Sequence, residues 1–537
     1  MLNGWSLGLF LVALAVGPNA FAQGKPYEGL PEKLGSVDFP ISCSAAAQQQ
    51  FTRGIALYHS YYWPEARKAF AAAAQADPTC AMAPWGLAIV EIGNAFTWPL
   101  RGKALVEGQQ AVQRAKALGP KTTRERDYIN AVENFFADAD KVPARTRQLA
   151  YELALEKMTR DYPKDTEAVI FHAHVQSANF DPNDKKYTNQ LKAAETLERL
   201  FVELPDHPGV AHYLIHSYDF PPLAQRGLKA AQRYRNIAPS APHALHMPSH
   251  TFTRLGYWED SISSNVAVLK ISPDIVNRLH SLDYMVYAYL QLGQDSAADR
   301  ILAELRADTK KIEGDTLFAA AFALAAIPAR IATERGQWSG AAKLTLTPDE
   351  LAFGWQQFPH AQAITVYARG LGAARSGDAA GARVAIAELT RLKQGMVEGG
   401  LRYWADQTDI QIKAVDAWAL RAEGKPEEAL RMMRSAADHE DATDKAAVTP
   451  GPIKPAREML GEMLLEAKQP SAALVEFEIA MAKEPGRLRA ALGAARAAAA
   501  AGDRDKARSH YAQVAKLFER ADAGHPELAQ VKTALAQ

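Results

Sequence analysis

The stretch Leu255-Gly256-Tyr257-Trp258-Glu259-Asp260-Ser261 separates two runs of helix-forming residues, and it decides the fold. Glycine permits a tight turn between two helices, and a small residue shortly after it lets the second helix approach the first. A helix pair of this kind cannot bury its apolar face alone, so such pairs must stack on one another. The stretch therefore predicts a helical hairpin within a larger array.

The same turn pattern recurs along the chain at irregular spacing. It returns at Gly293, Gly336, Gly377, Gly424 and Gly502, and glycine-free copies lie at Tyr61–Ala66 and Lys468–Ala472. From Gly256 to Gly424 the glycines follow one another after 37, 43, 41 and 47 residues. No stretch alternates apolar and polar residues as a half-buried strand would. The sequence therefore predicts an all-α, right-handed solenoid of antiparallel helix pairs.

This pattern resembles the tetratricopeptide repeat family, from about Ser44 to the C-terminus. The closest stretches are Phe70 to Pro78, which ends in the Asp-Pro of that family, and Thr251 to Pro273. The resemblance implies tetratricopeptide-like repeats with a concave groove. We divide the chain into a signal peptide (1–22), an N-terminal extension (23–43), N-terminal repeats that carry a histidine cluster (44–290) and C-terminal repeats (291–537).

The composition excludes several classes of protein. Among the 537 residues, Lys+Arg and Asp+Glu are both 61, whereas binding to nucleic acid or anionic lipid needs a basic surface. The sequence has no phosphate-binding loop and no H-E-x-x-H zinc motif. The apolar stretch Leu317 to Ala329 is too short to span a bilayer and predicts a buried helix. We therefore expect no nucleic-acid partner, no nucleotide cofactor and no stable membrane insertion.

The N-terminus has the features of an export signal. The first 22 residues carry no charged side chain, Leu7 to Val16 are apolar, and Ala20-Phe21-Ala22 is a small-x-small cleavage site. We expect cleavage after Ala22 and a mature chain that is exported, either periplasmic or secreted. An uncleaved N-terminal membrane anchor is the alternative.

Two cysteines flank the first predicted hairpin. Cys43 precedes its first helix and Cys80 follows its second, and antiparallel helices bring those two ends together. An exported chain meets an oxidising compartment, so we expect a disulfide between them. Two buried free thiols are the alternative.

Histidines are concentrated near the middle of the chain. Nine of the 14 fall between residues 172 and 280. His212 and His216 are four residues apart, as are His246 and His250, so each pair shares one helix face. The predicted turn at Asp219 lies 37 residues before the turn at Gly256. The two histidine pairs therefore lie on the first helix of the hairpin in each of two consecutive repeats. First helices stack side by side and line the concave face.

This arrangement predicts a transition-metal site, since imidazoles one helical turn apart can hold one ion. We expect His212, His216, His246 and His250 to share it. His243 or His207 would substitute if Pro248 displaces His246 by breaking or starting the helix. His207, His243 and His280 share the 37-residue register to within one residue and should mark one rim of the groove. Imidazole ligands suit a divalent transition metal, with zinc or copper expected first. Packing roles or a pH switch are the alternatives for these histidines.

The histidine segments resemble a subfamily of exported bacterial tetratricopeptide proteins. The residues that carry the resemblance are Pro205-Asp-His-Pro-Gly-Val-Ala-His-Tyr-Leu-Ile-His-Ser-Tyr-Asp219, then His243-Ala-Leu-His-Met-Pro-Ser-His250, then Phe252, Arg254, Leu255, Gly256 and Trp258. Trp63 departs from the pattern, which has histidine there, so a ligand from the first repeat is in doubt. The resemblance implies export and a shared histidine motif, but no particular activity.

Two functions remain open at this point. The first is an interaction scaffold that binds a protein or peptide segment in its concave groove and carries a metal. The second is a hydrolytic or oxidative metalloenzyme with a small-molecule substrate, in which Asp219, Tyr213 or Arg254 assists as acid, base or charge clamp. A groove lined by apolar and aromatic side chains would favour the first, and a closed pocket of converging imidazoles the second.

Overall fold

The computed structural model describes residues 31–97, 102–308, 318–348 and 353–536. Within these ranges the chain is helical and contains no strand. The expected signal peptide and its cleavage site lie outside the described residues. The helices are α1 Ala45–His59, α2 Trp63–Ala76, α3 Met82–Ile92, α4 Lys103–Leu118, α5 Thr123–Phe136, α6 Ala144–Asp161, α7 Thr166–Ala178, α8 Thr188–Glu203, α9 Pro208–Ser217, α10 Leu228–Ile237, α11 Pro242–His246, α12 Pro248–Leu255, α13 Trp258–Ile271, α14 Ile275–Gln291, α15 Asp295–Asp308, α16 Phe318–Glu334, α17 Trp338–Ala341, α18 Pro359–Arg375, α19 Ala379–Glu398, α20 Arg402–Ala422, α21 Pro426–Asp441, α22 Ala456–Glu466, α23 Pro470–Lys483, α24 Leu488–Ala501, α25 Arg504–Leu517 and α26 Leu528–Ala536. Short 3₁₀ turns lie at Ala95–Thr97, Ala224–Gly227, Trp355–Gln357 and Phe518–Arg520.

Consecutive helices pack as antiparallel pairs, and the pairs stack, so the predicted all-α solenoid is confirmed. The six glycines that marked turns in the sequence all have a positive φ, between 64° and 86°. Gly256 shows why the turn needs glycine, because a Cβ there would lie 2.5 Å from the carbonyl oxygen of Pro485. This hairpin of the N-terminal repeats therefore touches the C-terminal repeats directly.

The two glycine-free turns have the same backbone shape. Tyr61 has φ 51° and Lys468 has φ 58°, both in the left-handed region that side chains other than glycine rarely adopt. Their positions match the two glycine-free copies of the turn pattern. At Tyr61 the strained backbone also places an aromatic ring against the histidine cluster, as described below.

The disulfide and the buried helix that the sequence predicts are both present. Cys43 and Cys80 form a disulfide that links the two ends of the first hairpin, as expected. The described part of the apolar stretch forms α16 and is almost wholly buried. Among the described residues, no helix combines the length and the apolar character that a membrane span requires.

The hydrophobic interior is divided near the histidine cluster. One core collects buried residues from Leu34 to Phe252, and another collects residues from Leu269 to Ala507. The cluster lies where these two cores meet. Helices α9, α11 and α12 belong to the first core, and α14 belongs to the second.

Residues 442–455 link α21 to α22 and form the segment called here the crossing loop. Residues 440–455 mix charged residues with Thr, Gly and Pro, a composition that predicts a loop between helix pairs, and the structure shows where it runs. Lys185 binds Asp444 at 2.8 Å, and the hydroxyl of Tyr284 donates to the carbonyl oxygens of Ala447 and Thr449, each at 3.2 Å. The crossing loop thus packs against the N-terminal repeats beside the histidine cluster.

Candidate metal centre

Three neighbouring first helices present the histidines. Helix α9 carries His212 and His216, α11 and α12 carry His243, His246 and His250, and α14 carries His280. Pro248 is the first residue of α12, but Met247 before it keeps helical angles of φ −54° and ψ −34°. The backbone therefore continues through the proline, and His246 and His250 remain one turn apart on one face.

Six of these histidines form two groups. The first histidine group is His212, His216 and His243, and the second histidine group is His246, His250 and His280. Within each group the candidate ligand atoms lie within 4.8 Å of one another. Each group therefore takes two imidazoles from one first helix and a third imidazole from another.

The nitrogens approach closely in both groups. His212 Nε2 lies 3.0 Å from His243 Nε2 and 3.1 Å from His216 Nε2. In the second group, His246 Nε2 and His250 Nε2 are 3.1 Å apart. The groups are also neighbours, since the ring centroids of His243 and His246 are 6.0 Å apart.

Hydrogen-bond partners fix the protons of the second histidine group. His246 Nδ1 donates to Asn265 Oδ1 at 2.7 Å, and the Asn265 amide nitrogen is itself used as a donor to the Ser261 carbonyl. His250 Nδ1 donates to the Asp219 carboxylate at 3.0 Å. In a neutral imidazole only one nitrogen carries a proton. The Nε2 atoms of His246 and His250 are therefore unprotonated, and their lone pairs face each other.

Asp219 and Arg254, two of the candidate catalytic residues, act together behind His250. Arg254 Nε donates to Asp219 Oδ1 at 2.9 Å, and its terminal nitrogen donates to the Asp219 carbonyl at 2.8 Å. Burial alone would raise the pKa of Asp219, but Lys445, Arg254 and His250 outweigh it and hold the pKa well below its usual range. The carboxylate therefore stays ionised and orients His250, as carboxylates that accept from a metal-binding histidine do.

In the first histidine group the proton of His212 is fixed in the same way. His212 Nδ1 donates to the carbonyl oxygen of His59 at 2.6 Å, because a carbonyl can only accept. Its unprotonated Nε2 then points toward both His216 and His243. One lone pair can accept one hydrogen bond well, but here two nitrogens approach it.

Aromatic rings cover both groups. Tyr61 stacks on His243 at 5.1 Å between centroids and meets His212 edge-on at 4.4 Å. Tyr284 stacks on His250 at 5.1 Å. Rings of this kind keep water away from the imidazoles and fix their orientation.

Burial keeps the imidazoles neutral. The pKa values of His212, His216, His243, His246 and His280 are lowered well below the usual value, by burial first and by neighbouring histidines next. That of His250 is lowered by burial but partly restored by Asp219. His243 and His280 are only partly buried, whereas the other four are buried. Each group is therefore most accessible at its third histidine.

A third cluster contains His207, which the sequence singled out as a ligand. The His–Glu–His network is His59, Glu167 and His207. His59 Nε2 and His207 Nε2 each lie 2.9 Å from a different oxygen of Glu167. His207 Nδ1 accepts from the Val210 backbone N–H, so it caps α9. His207 is thus placed beside Glu167 and apart from the two histidine groups.

Tyr213, the remaining candidate catalytic residue, belongs to the same network. Its hydroxyl donates to His59 Nδ1 at 2.9 Å, and its ring stacks on His174 at 3.9 Å between centroids. Burial alone would raise the pKa of Glu167, but His207 and His59 outweigh it and lower the pKa to about 2. The network is therefore an ionised carboxylate between two N–H donors, and the Tyr213 hydroxyl is engaged within it.

The grouping differs from the expectation that four histidines share one ion. His212 and His216 fall in one group and His246 and His250 in the other, and each pair gains a third imidazole. His280 was absent from the expected ligands, although its 37-residue spacing from His243 could have added it. No pattern in the sequence pointed to His59 and Glu167, because they come from distant helices.

Comparisons with known proteins do not assign the chain to a family. No family model matches the sequence, and no curated protein is similar to it. Among solved structures, yeast Tom70 is 13% identical and covers 91% of this chain and 95% of its own, with a TM-score of 0.30. Naa15/Naa10 bound to HypK-THB is 12% identical over 91% of this chain and 73% of that chain, with a TM-score of 0.25. The tetratricopeptide domain of P58(IPK) is 13% identical over 92% and 99%, with a TM-score of 0.20.

Proposed function

We propose that this protein is an exported metalloprotein in which the two histidine groups hold two adjacent transition-metal ions that act on a small molecule. Each ion would have three imidazole nitrogens as ligands and at least one open position, as catalytic metal sites do. Neighbouring ions of this kind can polarise a substrate or activate a bound water. An all-imidazole ligand set is compatible with copper and with zinc.

The observation that carries this proposal is the pair of unprotonated nitrogens in the second histidine group. Two lone pairs 3.1 Å apart repel each other unless a cation lies between them. That cation is either a proton or a metal ion. Burial lowers the pKa of both imidazoles, although Asp219 partly restores that of His250, and this disfavours the proton. A metal ion satisfies both nitrogens, and the first histidine group repeats the arrangement.

Asp219 and Arg254 have a positioning role in this proposal. They hold the Nδ1 proton of His250 and so aim its Nε2 at the metal position. Tyr213 acts one step further away, since the network that contains it also contains His59, whose carbonyl orients His212. Substrate would enter beside His243 and His280, the more accessible member of each group.

An interaction scaffold is the second candidate, and one feature favours it. A groove of about 430 Å³ lies on the C-terminal repeats, lined by charged residues that include Arg335, Arg375, Glu466 and Arg496. A peptide with charges of both signs would suit such a surface. This groove lies on other helices than the histidines, so the two functions are separable.

We also propose that the protein is exported and that it is related to the exported bacterial subfamily that its histidine segments resemble. The disulfide between Cys43 and Cys80 supports it, because such bonds persist in oxidising compartments. The mature chain should begin at Gln23. N-terminal sequencing of protein recovered from outside the cytoplasm tests this, and a chain that still begins at Met1 contradicts it.

Metal analysis of the purified protein tests the centre itself. We expect two copper or zinc ions per chain after loading and removal of excess metal, and none in the double variant His212→Ala, His246→Ala. The double variant His510→Ala, His525→Ala, in the C-terminal repeats, should still bind two. A wild-type protein that binds no ion would leave the scaffold as the remaining function.

A further inference from the structure

The crossing loop is long for its place in the solenoid. It has 14 residues, whereas the connections between the preceding and the following helix pairs have three (399–401) and four (484–487). Connections between packed helices usually have about 2–8 residues, and much longer ones are often functional. Residues 449–451 and 453–455 are buried, and Pro452 is partly buried. The extra length therefore takes the chain into the interior of the solenoid.

Four first helices bind the backbone of this loop. Helices α14, α16, α18 and α20 each precede one of the glycine turns, and each contributes one polar side chain: Tyr284, Arg330, Tyr367 and Tyr403 respectively. The hydroxyl of Tyr403 accepts from the Ala446 N–H at 2.7 Å. The other three side chains donate, at 2.8–3.2 Å, to the carbonyl oxygens of Ala447, Thr449, Gly451, Pro452 and Lys454.

This pattern is that of a groove with a bound peptide. Hydrogen bonds to backbone groups are how a protein holds an extended segment, and pockets for single side chains then add specificity. Here Ile453 supplies such a side chain, since it is 6% exposed, and Val448 packs against the core of the C-terminal repeats. The inner face of the four helices therefore holds residues 446–454 as it would hold a separate peptide.

The sequence of the bound segment suits this role. Residues 446–454 are Ala-Ala-Val-Thr-Pro-Gly-Pro-Ile-Lys, which carry no charge before the last residue. The two prolines fix part of the backbone in advance, so less conformational entropy is lost when the segment binds. Because the hydrogen bonds described above go to backbone groups, another extended and uncharged segment could form them equally.

The loop is also connected to the second histidine group. The ring of Tyr284, whose hydroxyl holds the loop, lies 4.9–5.2 Å between centroids from the rings of all three members of that group. Lys445, at the start of the loop, places Nζ 3.5 Å from Asp219 Oδ1, and the other oxygen of Asp219 accepts from His250. Tyr61, which covers the first histidine group, lies in the turn between α1 and α2. The loop therefore contacts the surroundings of one group only.

We propose that the inner face of α14, α16, α18 and α20 is a binding site for an extended, uncharged segment, and that the crossing loop occupies it as an internal ligand. A segment of the same chemistry from another protein displaces the loop. Displacement frees the hydroxyl of Tyr284 and withdraws Lys445 from Asp219, which opens the second histidine group and leaves the first closed. Peptide binding needs no metal, whereas the effect on the ion rests on the proposed metal centre.

A labelled peptide of residues 446–454 tests the binding site. The loop variant Pro450→Gly, Pro452→Gly, Ile453→Ser weakens the internal ligand, because the prolines no longer fix the backbone and a buried apolar side chain is lost. We expect the peptide to bind the loop variant at least about tenfold more tightly than the wild type, in which the tethered loop competes at a high effective concentration.

Substitutions in the groove show where the peptide binds. Adding Tyr367→Phe and Tyr403→Phe to the loop variant should weaken peptide binding at least about fivefold, because two hydrogen bonds to the peptide backbone are lost. Tyr511→Phe lies on α25, outside the groove, and makes the same change of side chain. Added to the loop variant instead, it should leave peptide binding unchanged.

Release of zinc to excess chelator tests the effect on the metal centre. The background His212→Ala retains the second ion, and His246→Ala retains the first. In the His212→Ala background, the three loop substitutions should release zinc at least about tenfold faster, since the group that holds it opens more often. In the His246→Ala background they should not change the rate.

The possible failures are distinguishable. If hydrogen exchange at residues 446–454 is as slow in the loop variant as in the wild type, the loop is a fixed part of the fold and the proposal is wrong. If the loop exchanges faster but the peptide does not bind, the groove is not a peptide site. If the peptide binds and zinc leaves at the same rate, the connection to the second histidine group is wrong. If the wild type binds no zinc, the metal centre fails and the peptide result still decides the binding site.

A milder variant covers the case in which the loop variant does not fold. Tyr367→Phe with Tyr403→Phe, in a chain with the natural loop, removes two hydroxyls and keeps both rings. Faster hydrogen exchange confined to residues 446–454 supports a displaceable loop. Exchange that rises throughout the C-terminal repeats contradicts it.

Discussion

Two of the three clusters with donor atoms at metal-binding spacing differ in how their protons are arranged. In the His–Glu–His network, an ionised carboxylate lies between two imidazole N–H groups, each 2.9 Å away. In the second histidine group, two unprotonated nitrogens face each other at 3.1 Å. The first arrangement is complete as a set of hydrogen bonds, and the second is complete only with a cation. Ligand spacing alone therefore does not identify a metal site; the position of the protons does.

Single substitutions should separate the three clusters by metal content. We expect His212→Ala to lose the ion of the first histidine group and His246→Ala to lose that of the second, so that each variant retains one of two ions. Each variant loses one of the three imidazole nitrogens that would hold its ion. The affinity for that ion should fall by more than about 100-fold, a larger loss than follows from changing a residue that only positions a ligand. His207→Ala should retain both ions.

Metal analysis after dialysis measures these stoichiometries. A His207→Ala variant that is folded but binds fewer than two ions would show that the His–Glu–His network takes part in metal binding. Loss of both ions from either ligand variant would show that the two groups form one site.

Acid should affect the two kinds of cluster differently. In the metal-free protein the six histidines have lowered pKa values, so the unfolded chain takes up their protons first, near pH 6.5. Stability therefore falls as pH drops below about 6.5, by up to about 1.4 kcal/mol per pH unit for each such histidine. Glu167, with its pKa lowered to about 2, is ionised in this range and its contribution is lost only below its usual value of 4.5.

Denaturant unfolding of the metal-free protein between pH 7.5 and 5.5 measures this slope. The double variant His212→Ala, His246→Ala should have a shallower slope than the wild type. Glu167→Gln should lower the whole curve and should not make its slope shallower, because the carboxylate raises the pKa of His59 against burial and its loss lowers that pKa further. Equal slopes in all three proteins would mean that the buried histidines are not neutral.

The fold could be predicted from sequence because its signal is local. Each hairpin needs a residue that tolerates a positive φ, and such residues are visible as glycines at Gly256 and its counterparts. Even the glycine-free turns at Tyr61 and Lys468 could be located, since the residues around them kept the pattern. Local signals of this kind do not depend on how the repeats pack.

The candidate site could be predicted only in part, because its grouping depends on packing. The one-turn spacing of His212 with His216 and of His246 with His250 was visible in the sequence, and the structure pairs them accordingly. The division into two groups depends on how α9, α11 and α14 stack, which no spacing specifies. Lys445 was beyond reach, since it lies more than 160 residues after the nearest histidine of the centre.

Removal of the charge of Glu167 should cost stability but no metal. Glu167→Gln places an amide between two imidazole N–H groups, and the amide nitrogen cannot accept a hydrogen bond from either of them. The change weakens or removes two hydrogen bonds to a charged group, and such bonds contribute about 1.5–3 kcal/mol each, so a loss of about 3 kcal/mol is expected for this near-isosteric change. Urea unfolding measures it on the metal-free protein. The variant should still bind two ions, and a reduced metal content in folded protein would place Glu167 in the metal centre.

Loss of charge at Asp219 should reduce metal affinity, unlike loss of charge at Glu167, and its effect should be the smallest of those predicted. Asp219→Asn keeps an oxygen that can accept from His250 Nδ1, but it removes the negative charge that Arg254 and Lys445 share. Changes to a residue that holds a metal-binding histidine in place lower metal affinity by about 10–100-fold. Because Asp219 contacts His250 and not the first histidine group, only one of the two ions should be weakened. Competition with a chelator of known affinity resolves the two ions, and the unaffected first ion serves as an internal control for folding. If the affinity for both ions falls equally, Asp219 acts through the fold. If the affinity for neither ion falls, Asp219 does not position His250 for metal binding.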